Sequence, residues 1–222
     1  MRETAADRRS RQEERRERRS AVTDPDVVLA AGAALLGIRA RTTHDLRARL
    51  VTLGYPPGLV DVTIERLLTL GYLDDDAYAR AWVAGRDRSR PRGAGALRRE
   101  LLRKGLGREL VDATLEAREA GMVAAETADG SSTGGYHAAG AYREPDHAHP
   151  GSSADQAAAL RLLDRRRGSL LREMDPRKRR QRAYTLLARN GFDPGVCMDV
   201  TRSFVAGLDG TSDPDELSNE DA

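Results

Sequence analysis

Residues 74–106 read DDDAYARAWVAGRDRSRPRGAGALRRELLRKGL, and the fold follows from this stretch. Tyr78, Trp82 and Val83 recur at helical spacing and run into an arginine-studded turn with Arg86, Arg88, Arg90 and Arg92. Pro91 and Gly93 break the pattern, and a second helix opens with Arg98, Arg99, Arg103 and Lys104. From Gly85 to Lys104 eight basic side chains face two acidic ones, Asp87 and Glu100. An excess of that size suits a polyanionic or acidic partner rather than a small-molecule site.

The same helical unit occurs three times. Leu46, Leu50, Gly54 and Tyr55 recur as Leu97, Leu101, Gly105 and Leu106, and again as Ala183, Leu187, Gly191 and Phe192. Apolar residues at i and i+4, glycine at i+8 and an apolar residue at i+9 describe a helix that ends in a left-handed glycine cap. A further short helix follows each glycine, with apolar faces Val60, Ile64, Leu67 and Leu68; Leu110, Val111 and Leu115; and Val196, Val200 and Phe204. Another precedes each quartet, over Val27 to Leu36, Asp76 to Ala84 and Gln156 to Leu163. Asp24-Pro25, Asp175-Pro176 and Asp193-Pro194 each pair an N-cap with proline at the first helical position.

The first two glycines lie 51 positions apart (105 − 54) and the last two 86 (191 − 105), so one insertion separates the second and third units. It contains ADGSSTGGYHAAGAYREPDHAHPGSS, has no apolar period, and reads as a flexible linker expected to loosen the third unit's orientation. The expected architecture is all-α: three tandem three-helix repeats form an elongated, curved body with disordered charged tails. Residues 1–23 are assigned to a disordered basic tail, 24–73 to repeat 1, 74–118 to repeat 2 and 119–153 to the Gly/Ser/His-rich linker. Residues 154–208 form repeat 3, and 209–222 a disordered acidic tail. The tails are charged and poor in aromatics, and such segments bury too little apolar surface to offset their ordering entropy.

The chemistry of most enzyme classes is missing. No phosphate-binding glycine loop of the G-x-x-x-x-G-K-[ST] kind is present. His44 sits in the first turn of a helix capped by Thr42 or Thr43, a solvent-facing position. Cys197 lies on the apolar face of the last helix with no histidine near it in sequence, and reads as a small hydrophobe. Asp74, Asp75 and Asp76 stand between helices, where aspartate caps the next N-terminus. Asp146, His147 and His149 have metal-ligand chemistry but nothing to hold them in fixed geometry. A non-enzymatic protein without cofactor or metal is expected. No apolar run is long enough to span a bilayer and no secretory signal follows the arginine-rich start, so a cytoplasmic monomer is expected.

The basic clusters are the candidate functional surface. The second repeat supplies Arg86, Arg88, Arg90, Arg92, Arg98, Arg99, Arg103 and Lys104; the third supplies Arg177, Lys178, Arg179 and Arg180. A run of charge is usually a solvated face, but these clusters are nearly unpaired in sequence and recur at the junction of helices one and two. Tyr78, Trp82 and Tyr184, by contrast, are aromatics at helical spacing and read mainly as core.

The pattern D-x-x-Y-A-R-x-W-V, R-x-R-S-R-P-R-G and L-R-R-E-L-x-x-K-G over Asp75 to Gly105 resembles the central repeat of the RecX regulatory proteins. AAGAALLGIRARTTHDLRARLVTLGY, residues 30–55, is similar to that family's opening. The resemblance implies a bacterial, cytoplasmic protein that binds the RecA recombinase filament. It further implies modulation, mostly inhibition, of RecA's ATPase, strand-exchange and SOS co-protease activities in DNA repair and recombination. By the same resemblance Arg88, Arg90, Arg92, Arg98, Arg99, Arg103 and Lys104 make the main contacts, with single- or double-stranded DNA of the filament within reach. The alternative is a non-sequence-specific DNA-binding repeat protein acting without RecA, since short helices joined by glycine turns resemble helix-turn-helix modules. Asp61, Glu65, Asp112, Glu116 and Asp199 on the third helices would repel phosphates and argue against base readout.

Overall fold

The computed structural model describes residues 5–121 and 154–209. The expected acidic tail beyond Asp209, most of the expected linker, and with it Asp146, His147 and His149, lie outside the described residues. Among the described residues there are ten helices and no strand: α1 (Ala5–Ser20), α2 (Pro25–Ile38), α3 (Thr43–Leu53), α4 (Pro57–Thr69), α5 (Asp75–Ser89), α6 (Ala94–Arg103), α7 (Arg108–Glu119), α8 (Ala154–Leu171), α9 (Pro176–Arg189) and α10 (Pro194–Asp209). The protein is all-α, and α2–α4, α5–α7 and α8–α10 are the three helical triplets.

The local signals explain where the helices start. The Asp24 carboxylate accepts from the Asp26 N–H (2.9 Å), with Pro25 opening α2. The Asp175 carboxylate accepts from the N–H groups of Arg177 and Lys178, and that of Asp193 from Gly195. Thr42 caps α3 through the Asp45 N–H at 3.0 Å. Each satisfies backbone donors that have no partner within the helix.

The three glycines end α3, α6 and α9 as the spacing predicts. Gly54, Gly105 and Gly191 have φ of 103°, 79° and 80°, where a side chain would strain the backbone. In each case the N–H of the following residue reaches back five positions: Tyr55 to Leu50, Leu106 to Leu101 and Phe192 to Leu187. The turn folds that apolar residue onto the helix it has just left.

The described chain groups into two compact units. One comprises the residues up to Ala79 with Leu101–Val111; the other comprises Arg80–Glu100 with the residues from Asp112 onward. In the first, α2 and α3 pack on α4 around Val28, Leu46, Leu50, Tyr55, Val60, Ile64, Leu67 and Leu73. In the second, α8, α9 and α10 pack around Leu163, Leu170, Leu187, Phe192, Cys197 and Phe204, with Ala158, Ala159 and Ala183 allowing close approach.

Three boundaries differ from the sequence reading. Residues 5–20 form α1, where a disordered tail was expected. Arginine and glutamate are good helix formers, and Arg18 pairs with Glu14 one turn away. The end of α1 also has somewhere to pack: Arg19 donates to the Leu53 carbonyl (3.3 Å) and lies 5.7 Å from the centroid of the Tyr55 ring, while the Arg16 backbone closes over Gly54. Secondly, Arg86 and Arg88 belong to the last turn of α5 rather than to the turn after it, a placement that suits cations at a helix C-terminus. Thirdly, α8 continues through Arg165, Arg166 and Arg167 to Leu171, whose neighbour Leu170 is buried in the core.

Candidate functional site

The arginines divide into those the fold uses and those it leaves in solvent. Glu100, the acid inside the basic stretch, is the first point of division. Its carboxylate accepts from Trp82 Nε1 (3.0 Å) and Arg86 Nε (2.8 Å), and Arg92 Nε lies 3.8 Å away. The Arg86 guanidinium also sits 4.6 Å from the centroid of the Trp82 ring. Arg92 turns a second nitrogen to the Asn190 side-chain oxygen (3.1 Å). Arg86 and Arg92, both predicted to bind a partner, are thus engaged within the fold.

Arg98 pairs with Asp112, and 51 residues earlier Arg47 pairs with Asp61. The acidic third-helix residues therefore offset second-helix arginines at the same place in two repeats. Lys104 reaches Asp45 at 3.4 Å. Arg179 is buried, and its guanidinium donates twice to the Glu173 carbonyl, at 3.1 and 3.0 Å. It holds the turn before α9.

Arg88, Arg90, Arg99, Arg103, Arg177, Lys178 and Arg180 are exposed. Among the described residues none of their cationic groups is held by a carboxylate in an ion pair. These seven of the twelve predicted residues are available to a partner.

The strongest electrostatic feature lies elsewhere, on residues absent from the predicted set. Arg118, at the end of α7, has a side chain only 3% exposed. It grips Asp87 of α5 through Nε and Nη2 (2.9 and 3.0 Å) and Asp155 of α8 through Nη1 (2.6 Å). Burial works against its charge, but the hydrogen bonds and attraction of Asp87 and Asp155 outweigh it and raise the guanidinium above the ordinary arginine value. Asp155 also accepts from the Ala94 N–H through both oxygens (3.1 and 3.0 Å), capping α6. Nearby, Arg161 is pushed down by burial, with Asp87 opposing that shift and the charges of Arg118 and Arg165 adding to it.

This network corrects the expectation of a loosened third repeat. Arg118 and Asp155 stand on either side of the insertion and are joined directly in a buried ion pair. Around it, the Gly93 N–H donates to the Asn190 carbonyl (3.1 Å), and a Cβ on Gly93 would lie 2.3 Å from the Gly191 carbonyl oxygen. The signal in sequence was Arg118 itself, seven residues after buried Val111 on the stripe that faces inward.

Cys197 is fully buried, and burial raises its thiol pKa above the ordinary value, as befits an unreactive core residue. His44 is exposed beside Gly105. Asp74 caps α5 through the Ala77 N–H (2.8 Å), whereas Asp75 caps α3 through the Thr43 N–H (2.8 Å). No helix among the described residues is long and apolar enough to cross a membrane.

The arrangement of helices has relatives. Residues 74–115 match the family model of the second three-helix domain of RecX, and 154–201 that of the third. The regulatory protein RecX of Deinococcus radiodurans is 32% identical over 179 residues, covering 80% of this chain and 68% of its own length. That of Mycolicibacterium vanbaalenii is 38% identical over 87 residues, 39% of this chain, so the match spans about half (47%) of that relative. Among solved structures, RecX from Lactobacillus salivarius superposes with a TM-score of 0.58 at 14% identity, over 84% of this chain and 97% of that one, a likeness of fold. Repeat spacing, helix triplets and a match along four-fifths of the sequence agree: the chain belongs to the RecX family of regulatory proteins.

Proposed function

We propose that this protein binds the RecA nucleoprotein filament in the cytoplasm and modulates it, mostly by inhibition of its ATPase, strand-exchange and SOS co-protease activities, with no catalysis of its own. Membership of the RecX family carries the reading. The exposed arginines support it, since guanidinium groups left without carboxylate partners fit an acidic protein surface or phosphates held within a filament. Arg88, Arg90 and Arg99 act through charge at the partner, with Arg177, Lys178 and Arg180 as a second contact. Arg86, Arg92, Lys104 and Arg179 serve instead to hold these elements in shape, and Arg98 acts through a charge that Asp112 partly offsets.

The test is single-stranded-DNA-dependent ATP hydrolysis by the cognate RecA, with the protein added below stoichiometry and then in excess. Inhibition is expected, and it is expected to weaken at least fivefold in the R88A/R90A/R99A variant while the melting midpoint stays put. No effect on RecA, together with salt-sensitive binding to naked DNA, would replace this reading by the DNA-binding one.

A further inference from the structure

The hairpin of α9 and α10 carries a groove of about 710 Å³ that the arginine network does not use. Arg177 and Arg180 on α9 and Arg202 on α10 supply its charge, and Tyr184 and Met198 its apolar wall. All three arginines are exposed, and Met198, at 55% exposure, has no core role. On the floor lies Thr201, which is 2% exposed, yet its hydroxyl has no hydrogen-bond partner among the described residues. A buried hydroxyl without a partner is costly unless something supplies one. Three cations, an apolar wall and an unused hydroxyl describe a site for an acidic segment.

The chain carries such a segment next to the site. Residues 211–222, TSDPDELSNEDA, hold Asp213, Asp215, Glu216, Glu220 and Asp221, no cation, and one large apolar residue, Leu217. Helices α9 and α10 are joined by a tight turn at Asn190–Asp193 and pack along each other, so they run antiparallel. From Arg202 the helix rises about 10 Å to Asp209, the distance α9 covers in running back from Tyr184 to Arg177. The chain therefore leaves α10 at the end of the groove where Arg177 stands. Fully extended, the residues after Asp209 reach up to about 40 Å, ample to return along it.

We propose that the α9–α10 groove is a docking site for the chain's own acidic C-terminal segment, with the carboxylates of Asp213–Asp221 on Arg177, Arg180 and Arg202 and Leu217 against Tyr184 and Met198. The pairing is internal and is tested without RecA, although it shares Arg177 and Arg180 with the proposed partner contact.

A fluorescein-labelled peptide of residues 209–222 tests it by anisotropy against the full chain and against a chain ending at Gly210. The shortened chain binds the peptide. The full chain binds it about tenfold more weakly, because an attached copy, at an effective concentration on the order of 1 mM, outcompetes a site with Kd of about 0.1 mM. Raising salt to about 0.5 M, or R177A/R180A/R202A in the shortened chain, reduces binding at least tenfold. Should that triple variant not fold, a peptide with its acidic residues changed to lysine serves instead, and it must not bind the shortened wild-type chain. Equal binding by full and shortened chains, binding unaffected by the arginine substitutions or the lysine peptide, or binding of a single-stranded oligonucleotide but not the peptide would overturn the proposal.

Discussion

The second helix of repeat 1 and the second helix of repeat 2 begin at equivalent junctions, 51 residues apart, yet they are secured by different means. In the first unit Thr42 donates its hydroxyl to the Lys104 carbonyl (2.7 Å), Asp75 caps Thr43, and His44 covers Gly105. In the second unit Gly93 takes the place of Thr42 and donates through its backbone to Asn190, Asp155 caps Ala94, and Gly191 sits against Ala96. One position has room for a side chain and the other has none. Beneath the first junction the 51-residue spacing places Leu36 and Leu67, both packed in an apolar core. Beneath the second it places Asp87 and Arg118, joined to Asp155. The repeated features are a donation to the carbonyl before the next glycine, Lys104 or Asn190, and an aspartate cap, and apolar packing and a buried ion network are two ways of holding them. They should respond differently to damage, since an apolar core loses stability with the volume removed whereas an ion network fails when either partner is left unpaired.

The largest effect is expected at the ion network. Arg118→Ala leaves buried Asp155 and part-buried Asp87 without their cation and should cost about 3–5 kcal/mol in urea unfolding. The double variant D87L/R118L, which copies the residues of repeat 1, should be at least about 1.5 kcal/mol more stable than the sum of the R118L and D87L losses implies, a coupling read from that double-mutant cycle. If the two losses simply add, the two junctions are not equivalent.

The glycine caps come next. Gly191→Ala combines a positive φ with a Cβ placed 2.5 Å from the Ala96 Cβ, whereas Gly71→Ala has a positive φ and open space around it. The former should cost roughly 2–4 kcal/mol and the latter about 1 kcal/mol, the strain alone. Similar losses would mean that the close approach at Gly191 does not matter to stability.

A smaller effect concerns pH. Burial raises the Cys197 thiol above its ordinary value of 9.0, so the folded state holds the proton more tightly than the unfolded state. The contribution is complete below about pH 9 and is lost as pH rises further, when the unfolded chain ionises first. Cys197→Ala should remove that alkaline dependence, and alkylation of the native protein near pH 8 should proceed only as fast as the chain opens.

The smallest stability effect is expected at the exposed arginines. R88A/R90A/R99A should change unfolding free energy by no more than about 0.5 kcal/mol. A larger loss would place these residues among the structural arginines.

Much of the fold was legible because it repeats. The glycine quartets at Gly54, Gly105 and Gly191 and the Asp-Pro caps are local signals, each with a stereochemical cause that needs no tertiary context. The start of the chain was misread for the opposite reason. The helicity of α1 is helped by Arg19 finding the Leu53 carbonyl and the Tyr55 ring, contacts 34 and 36 residues away. Charge counting found the basic surface but could not sort it. Glu100 is one of two acids among eight bases, yet its carboxylate accepts from both Arg86 and Trp82. Asp155 follows a long insertion, and its pairing with Arg118 spans 37 residues without any local pattern.

The most direct measurement of the account is binding of the full chain to preassembled cognate RecA filaments on single-stranded DNA, comparing wild type with R88A/R90A/R99A at equal melting midpoints. Saturable binding by wild type that weakens at least fivefold in the variant is the predicted result. Undiminished binding by the variant, or none by the wild type, would contradict the assignment of these exposed arginines to the RecA filament.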